Sequence, residues 1–272
     1  MGHDTTERLL MRLHALVGPD GLLPDAFARA PHPGDRPGMP VGRKRVVVLP
    51  ASTAEAAAVV RLCSEARMPL ATQGGHEGMN GGAAADGSGT QVVLGTRRLN
   101  RVRAVDPDDD TLALDAGVPL SHAQAVARGV DRLLPAGLGA QGDRTVGDAI
   151  ATNAGVGAVL RHGKFRELVL GLEVVLPDGR IWNGMRGPLG DDNGYDLRGL
   201  FIGSDGTLGL ITGVVLRLTA PWVPVASAPP VSSGASVVHA MPVCRSPVEM
   251  DLMRRIKQAI DPNQIMNPGR VP

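Results

Sequence analysis

The sequence contains few aromatic residues and few cysteines. Phe, Trp and Tyr together make up 2% of the 272 residues, and the only cysteines are Cys63 and Cys244. Proteins that bind single-stranded nucleic acid need exposed aromatic platforms along a positive groove, so the lack of aromatics and a net charge of +1 argue against a nucleic-acid partner. Two cysteines without CxxC spacing exclude a disulfide framework. We therefore expect the protein to be located in a reducing compartment.

Long apolar runs and several catalytic motifs are also missing. No segment approaches the roughly 18 apolar residues of a membrane span, and the first residues carry acids and threonines rather than a basic and apolar leader. These features predict a cytoplasmic protein with no transmembrane segment. HExxH, GxSxG and GxxxxGK[ST] do not occur, which argues against metalloproteases, serine hydrolases and P-loop enzymes. The sequence predicts no metal site.

Glycine is abundant, with 36 residues, nearly double the average share of about 7%. Helical periodicity predicts an N-terminal helix that includes Leu9 and Val17, and Ser52 with Glu55 predicts a capping box at the start of another. The apolar run Leu168–Leu176, a Pro-Asp-Gly-Arg turn and Ile181 predict a hairpin. Because βα units alternate with antiparallel strands, we expect an α+β fold.

A glycine-rich segment, Gln73–Gly82, directly follows the predicted strand Pro69–Thr72. Backbone N–H groups in such a loop can form an anion nest, and the missing side chains allow phosphate oxygens to come close. A pyrophosphate fits this pattern. A flexible surface loop is the alternative, and on these grounds alone the two interpretations stand about evenly.

A second segment, Gly137–Gly142, has the formal spacing GxGxxG of a nicotinamide site. That spacing is informative only where a strand leads into it and a helix opens inside it. Pro135 precedes the segment, and Asp143–Gly147 has the composition of a poor helix start. The sequence therefore disfavours an NAD-dependent Rossmann enzyme.

Several segments, in this order along the chain, resemble the FAD-linked oxidase family, whose PCMH-type FAD-binding domain belongs to the vanillyl-alcohol oxidase superfamily. The similarity is greatest to flavin-dependent D-lactate, D-2-hydroxyglutarate and glycolate dehydrogenases. It covers residues 46–218 and returns at residues 250–271. The segments that carry it are Gln73–Gly82, Leu138–Gly155, Val174–Gly179, Gly194–Leu197 and Leu200–Gly209.

This resemblance implies two α+β subdomains that hold FAD, with a C-terminal helix returning to the flavin. It divides the chain into an N-terminal helix and loop (1–44), an FAD-binding domain (45–219), a linker (220–249) and a C-terminal helix and tail (250–272). The residues implied to contact FAD are Gln73, Gly74, Gly75, His76, Glu77, Gly78, Gly81, Gly82, Gly142, Asp143, Thr145, Gly147, Thr152, Asn153, Gly155, Asp205, Ile211 and Asn267.

The sequence departs from the family pattern at four cofactor positions. His76 and Glu77 replace a common Asn-Thr pair, and His76 resembles the position that some members of the superfamily join covalently to the flavin. A polar contact is the alternative. Glu77 is unfavourable beside a pyrophosphate unless it turns toward solvent or a cation. Asp148 stands where relatives usually carry a small or amide residue, and Asp205 replaces a common Glu.

The largest departure is the short distance between the two regions of resemblance. Thr219 and Met253 are 33 positions apart, whereas the family places a substrate domain there, with an arginine for the substrate carboxylate and the metal motif HxGDGNxH. Of the histidines, His239 alone lies in this linker, and its neighbours do not match.

The chain therefore offers a hydride acceptor without a base or a charge clamp. We expect an FAD-binding oxidoreductase related to D-2-hydroxy-acid dehydrogenases, with a small-molecule 2-hydroxy acid as substrate. The sequence leaves three interpretations of the missing substrate domain open: a flavin module with an open substrate face, a subunit that a protein partner completes, or a decayed copy of a full enzyme. The alternative is a non-catalytic flavin-binding module, and in both cases the isolated chain should show little or no activity.

Overall fold

A computed structural model of the chain describes residues 3–23, 46–74, 91–135, 144–153, 165–185, 194–221 and 246–269. The helices are α1 (His3–Val17), α2 (Thr53–Glu65), α3 (Leu120–Arg128), α4 (Val146–Ala151), α5 (Phe165–Leu168), α6 (Arg198–Phe201) and α7 (Pro247–Ile260). The strands are β1 (Leu22–Leu23), β2 (Val46–Val48), β3 (Leu70–Gln73), β4 (Val92–Gly95), β5 (Val102–Asp106), β6 (Thr111–Asp115), β7 (Val169–Val175), β8 (Ile181–Gly184) and β9 (Leu210–Arg217).

The first lobe is built on a four-stranded sheet in the order β1-β2-β4-β3. Strands β2, β4 and β3 run parallel, and β1 is antiparallel to β2. All three residues of β2 are buried, as expected for a parallel strand covered on both faces. Helices α1 and α2 close one face through a core that includes Leu13, Val59 and Cys63.

The second lobe is built on a five-stranded antiparallel sheet in the order β5-β6-β9-β7-β8. Its apolar face, which includes Leu114, Leu172 and Val214, forms one core with residues of α3, α4, α5 and α6. Helix α2 of the first lobe also contacts β7 and β9. The two lobes therefore share a packed boundary, and the predicted α+β fold is confirmed.

The chain end returns to the first lobe, beside β3. Leu70 N donates to Ile265 O at 2.6 Å, and Asn267 N donates to Leu70 O at 2.8 Å. Together with a parallel bridge between Leu70 and Met266, these bonds extend the sheet beyond its β3 edge. Helix α7 precedes this return and begins at Pro247, with a capping box between Ser246 and Glu249, three residues before the predicted start.

The expectation of a poor helix start at Asp143–Gly147 was wrong. Thr145 caps α4, because its hydroxyl accepts a hydrogen bond from Asp148 N at 3.3 Å. A threonine followed three residues later by an acidic residue is a helix-start pattern. The GxGxxG segment Gly137–Gly142 lies outside the described residues. The last strand before α4 is β6, which is separated from it by α3 and pairs antiparallel with β9, so α4 does not follow a strand of a parallel βαβ unit as an NAD site requires.

The predicted capping box at Ser52 is half formed. Ser52 Oγ accepts from Glu55 N at 3.1 Å, as the pattern predicts. The Glu55 carboxylate, however, accepts from Ala51 N at 2.8 Å. In a capping box this carboxylate would accept from the backbone N–H of Ser52, so it binds a donor one residue earlier than the box requires.

Candidate cofactor-binding site

A cleft lies where the two lobes meet, at the carboxyl ends of the parallel strands β3 and β4. It encloses about 570 Å³, including space open to solvent. Open sheets with parallel strands commonly bind ligands at this end. Four pieces of chain line it, namely the end of β3, the residue after β4, helix α4, and the turn that leads into β9. The lining residues are Thr72, Gln73, Gly74, Thr96, Gly147, Asp148, Ala151, Thr152, Asp205, Gly206, Gly209, Leu210 and Ile211.

The structure brings together most of the predicted site residues that it describes. Those that line the cleft are Gln73, Gly74, Gly147, Thr152, Asp205 and Ile211. Three more contact the lining or the turn beside it: Thr145 lies next to Gly74, Asn153 next to Gly203, and Asn267 bonds to Thr72 and Asp205. The predicted contacts Gly75, His76, Glu77, Gly78, Gly81, Gly82, Gly142, Asp143 and Gly155 lie outside the described residues.

Gly74 lets the end of β3 pack directly against the start of α4. A Cβ atom on Gly74 would lie 2.7 Å from Asp148 Cβ and 2.9 Å from Thr145 Oγ1. Both distances are shorter than real Cβ contacts. The close approach of strand and helix at the cleft therefore requires glycine here.

The turn before β9 is held in shape from the side of α4. Gly203 N donates to Ile150 O at 3.1 Å, and Asp205 N donates to Ala151 O at 2.9 Å. The turn thus adds partners to carbonyls in the last turn of α4, where Ile150 O also accepts from Asn153 N at 3.0 Å. Asp205 and Gly206 both adopt positive φ, 51° and 68°, and this places the turn along the cleft.

Gly206 also fits tightly against the first lobe. A Cβ atom there would lie 2.1 Å from Thr72 Oγ1 and 3.0 Å from Asn267 Nδ2. Any side chain would force these groups apart and would also strain the positive φ. The turn thus contacts β3 at this point through backbone alone.

Some buried side-chain oxygens in this region have no hydrogen-bond partner among the described residues. They include Thr96 Oγ1, in the cleft lining, and Asn153 Oδ1, two residues beyond α4. Buried polar atoms are nearly always hydrogen-bonded, so an unsatisfied hydroxyl in the cleft lining is suited to a polar ligand. Asn153 lies next to the turn, since a Cβ atom on Gly203 would be 3.2 Å from Asn153 Cβ.

The cleft lining also carries acidic side chains. Asp148 and Asp205 are both in the lining, and Arg144 Nε lies 3.8 Å from Asp148 Oδ2. The described lining residues include no Lys, Arg or His. The described part of the cleft therefore favours the uncharged parts of a ligand over its anionic groups.

A buried ion network, formed by Arg103, Asp115 and Glu173, lies away from the cleft at the boundary between the lobes. Arg103 donates to Asp115 Oδ1 at 2.6 Å and to Glu173 Oε1 at 2.7 Å. From the first lobe, Thr53 Oγ1 donates to Glu173 Oε1 at 2.6 Å, and Thr212 Oγ1 donates to the same oxygen at 3.0 Å. This interlobe ion network joins α2 to the second sheet.

The electrostatics of this network favour the charged forms of all three side chains. Burial alone would raise the pKa of Glu173, but hydrogen bonds from Arg103 and Thr53 outweigh it and leave the pKa below its usual value. The pKa of Asp115 is lowered for the same reason, by Arg103 and Arg101 against burial. The pKa of Arg103 is raised, because its two carboxylate partners outweigh its own burial.

Sequence reasoning missed this network, although the sequence contains a signal. Glu173 interrupts the otherwise apolar strand β7, Val169–Val175, and Asp115 ends β6. A charged residue within a buried strand normally has a partner of opposite charge. Arg103 on β5 was the available cation, but choosing it requires the order of the strands.

Two family models match the chain. One is described as an FAD binding domain and matches residues 45–184; the other is described as FAD linked oxidases, C-terminal domain, and matches residues 234–271. Because the first covers just over half of the chain, the chain belongs to the FAD binding domain family. FAD is the cofactor that both matches indicate.

Curated relatives are similar over nearly two thirds of this chain. D-2-hydroxyglutarate–pyruvate transhydrogenase of Saccharomyces cerevisiae is 36% identical over 64% of this chain and 34% of its own length. Mitochondrial D-2-hydroxyglutarate dehydrogenase of Bos taurus is 39% identical over 64% of this chain and 31% of its own. D-2-hydroxyglutarate dehydrogenase of Xanthomonas citri is 38% identical over 65% of this chain and 37% of its own length. The chain thus spans about a third of the length of these relatives.

A solved structure supports the fold. Alkyldihydroxyacetonephosphate synthase matches 79% of this chain and 40% of its own, with a TM-score of 0.69 and 22% identity. At this identity the similarity shows the fold alone. In the described part of the chain, none of the helices is both long and apolar enough to span a membrane.

Proposed function

We propose that the cleft between β3, α4 and the turn before β9 is the FAD site of this chain. The observation that carries the proposal is that six residues implied by the resemblance to contact FAD line one cleft at the ends of parallel strands: Gln73, Gly74, Gly147, Thr152, Asp205 and Ile211. The unsatisfied Thr96 hydroxyl supports it further. Thr145, which caps α4, lies directly beside Gly74 of this lining.

Because the described cleft lining is acidic, we assign the uncharged parts of FAD and its pyrophosphate to different parts of the chain. The described cleft offers neutral polar and apolar groups beside Asp148 and Asp205, so it suits uncharged parts of the cofactor. The pyrophosphate requires backbone donors and close approach. We assign it to the glycine-rich loop Gly74–Gly82, as the resemblance implies, with Gly142–Asn153 running along the pyrophosphate and the flavin.

We further propose that the chain is the flavin-carrying part of an oxidoreductase that acts on a small 2-hydroxy acid such as D-2-hydroxyglutarate or D-lactate. Bound FAD would supply the acceptor for the hydride that leaves C2. The chain's own residues hold the cofactor and shield one side of it with the packed turn at Gly206. The names and 36–39% identity of the relatives support this substrate class.

The cation that binds the substrate carboxylate would come from a second polypeptide. The described cleft residues carry negative and neutral side chains, and a carboxylate substrate needs the opposite charge. A substrate domain from a partner protein would provide that cation and the base for the hydroxyl proton. The same charge pattern favours a non-catalytic flavin-binding module as the second candidate.

The domain division given above and a cytoplasmic location belong to this proposal. Some relatives are named as mitochondrial, so fractionation of the native host should be tested against both compartments. A cytoplasmic pool would support the prediction, and confinement to an organelle would contradict it.

Titration with FAD tests the cofactor site. The purified chain, stripped and then reconstituted, should take up one FAD per chain, seen as quenching of flavin fluorescence. Gly74→Val should abolish uptake because its side chain would strike Asp148, whereas Gly194→Ala, which places a methyl group in open space at positive φ, should cost some stability but leave FAD uptake intact. Equal FAD affinity in both variants would contradict the site.

Anaerobic addition of substrate tests the activity. D-2-hydroxyglutarate or D-lactate should bleach the flavin of the isolated chain little or not at all. Full, rapid bleaching would show that no partner is needed.

After acid precipitation, flavin colour left in the pellet would support a covalent bond at His76, and colour released to the supernatant would support a polar contact.

A further inference from the structure

Asn267 bridges the two sides of the cleft with its side chain. Its Oδ1 accepts a hydrogen bond from Thr72 N at 2.9 Å, and its Nδ2 donates to Thr72 Oγ1 at 2.9 Å and to Asp205 O at 2.6 Å. Thr72 belongs to β3 of the first lobe, whereas Asp205 belongs to the turn of the second. The residue is only 3% exposed.

These bonds use both protons of the Asn267 amide. A primary amide has two N–H donors, and each is directed to a protein oxygen. The side chain therefore has no remaining proton with which to donate to FAD. This differs from the direct cofactor contact that the sequence resemblance implied.

The segment around Asn267 is itself firmly held. Lys257 donates to Thr207 O at 2.7 Å and to Met266 O at 3.0 Å, and its ammonium pairs with Asp261 at 2.5 Å. The Asp261 carboxylate accepts from Met266 N at 2.9 Å. Both Lys257 and Asn267 thus fasten the chain end to carbonyls of the turn that lines the cleft.

The backbone at Asn267 also suits asparagine. Its φ is 43°, in the left-handed region that asparagine tolerates better than most residues. From this conformation the short side chain reaches Thr72 and Asp205 together. A longer or unbranched side chain could not make the same bridge.

We propose that Asn267 is a positioning residue that sets the separation between β3 and the turn at Asp205, and thereby the FAD affinity of the cleft, without touching FAD. This inference rests on the proposed function, in which FAD occupies the cleft. Without the bridge, the turn has one fewer attachment to the first lobe. The cleft then has to be ordered by FAD itself, and affinity falls.

The test is Asn267→Asp, which keeps the shape and Oδ1 but replaces the donating Nδ2 with a second oxygen. At pH 8 the new carboxylate would face the Asp205 carbonyl, and the FAD dissociation constant should rise by about tenfold or more, since a buried acceptor loses its donor. Asn263→Asp is the matched control, because it makes the same charge change at an exposed position of the same segment.

Lowering the pH distinguishes this bridge from a general structural role. At pH 5, protonation of the introduced carboxylate would restore one donor, so the ratio of the variant and wild-type dissociation constants should fall. The charged groups around the introduced carboxylate are the Asp205 side chain and the Lys257–Asp261 pair, and these are the same in the wild type and in every variant. Near-UV circular dichroism checks that each variant is folded.

Each outcome bears on the inference. Wild-type affinity in Asn267→Asp at both pH values, or equal weakening by Asn263→Asp, would overturn it. If Asn267→Asp does not fold, Asn267→Ser is used instead; it can still accept from Thr72 N but cannot reach Asp205, and it should weaken FAD binding without pH dependence. Failure of the wild type to bind FAD would overturn the proposed function and this inference with it.

Discussion

Replacing Arg103 with methionine should destabilise the boundary between the lobes. Its guanidinium lies between Asp115 and Glu173, whose side chains are 0% and 11% exposed, and is itself 24% exposed. Methionine fills similar space but leaves both carboxylates without their strongest partner. The effect is therefore mainly the cost of buried, poorly compensated charge.

The size of the effect follows from what remains after the substitution. Removing one partner from a buried ion pair costs roughly 3–5 kcal/mol. Thr53 and Thr212 still donate to Glu173, and Arg101 still contacts Asp115, so we expect the lower end, about 3 kcal/mol. For a chain of this size that corresponds to a fall in Tm of roughly 6–12 °C.

Thermal unfolding followed by circular dichroism at pH 7 measures this change. The control is Arg101→Met, because Arg101 also pairs with Asp115 at 3.1 Å but is 66% exposed. Only the Arg101 end of this pair is exposed, and Arg103 still neutralises the buried Asp115, so Arg101→Met should cost about 1 kcal/mol, clearly less than Arg103→Met. A Tm for Arg103→Met within about 2 °C of the wild type, or equal losses in both variants, would refute the reasoning.

Three further predictions concern acid, a glycine and a cysteine. The carboxylates of the interlobe ion network have lowered pKa values, so their stabilising effect is present above the ordinary Glu pKa of 4.5 and is lost as the pH falls below it. The Tm difference between the wild type and Arg103→Met should therefore shrink from pH 6 to pH 3. A Tm difference that stays constant over this range would contradict the prediction. Gly206→Ala should lower the free energy of unfolding by about 2 kcal/mol or more, because it strains the backbone and contacts Thr72. Gly269→Ala, at positive φ but in open space, should lower it by only about 1 kcal/mol. Urea unfolding measures both. Burial raises the pKa of Cys63 to about 12, so in a Cys244→Ser background a thiol reagent at pH 8 should react only after denaturation; reaction of the folded chain would show that Cys63 is accessible.

Local sequence patterns predicted most of the elements, because short-range signals determine them. The turn after Leu176 joins β7 to β8 as expected, with Leu176 N donating to Arg180 O at 2.8 Å, and β7 lies within one residue at each end of the predicted apolar run Leu168–Leu176. Where predicted bounds differ, they differ by one to three residues, as at Pro247. Such ends depend on caps rather than on periodicity.

Long-range pairing could not be predicted in this way. Strand β9 lies between β6 and β7 although about 100 residues separate it from β6, and apolar alternation does not specify which strand pairs with which. The interlobe ion network was missed for that reason, since Arg103, Asp115 and Glu173 meet only once the strand order is known. The resemblance, in contrast, predicted the return of Asn267.

Asn267 illustrates how the structure refines a residue that the sequence had singled out. Family resemblance indicated that it belongs to the cofactor site. Only the folded structure shows its bonds to Thr72 and Asp205, which change its proposed role from contact to positioning. The presence of a residue in a motif does not specify which acceptors its side-chain N–H groups bond to.

Hydrogen exchange with and without saturating FAD directly tests whether FAD occupies the described cleft. We expect FAD to slow exchange at residues 70–74, 145–153, 203–211 and 265–267 and to leave α1 and α3 unchanged. FAD binding that protects other segments while leaving these four unprotected would contradict this expectation.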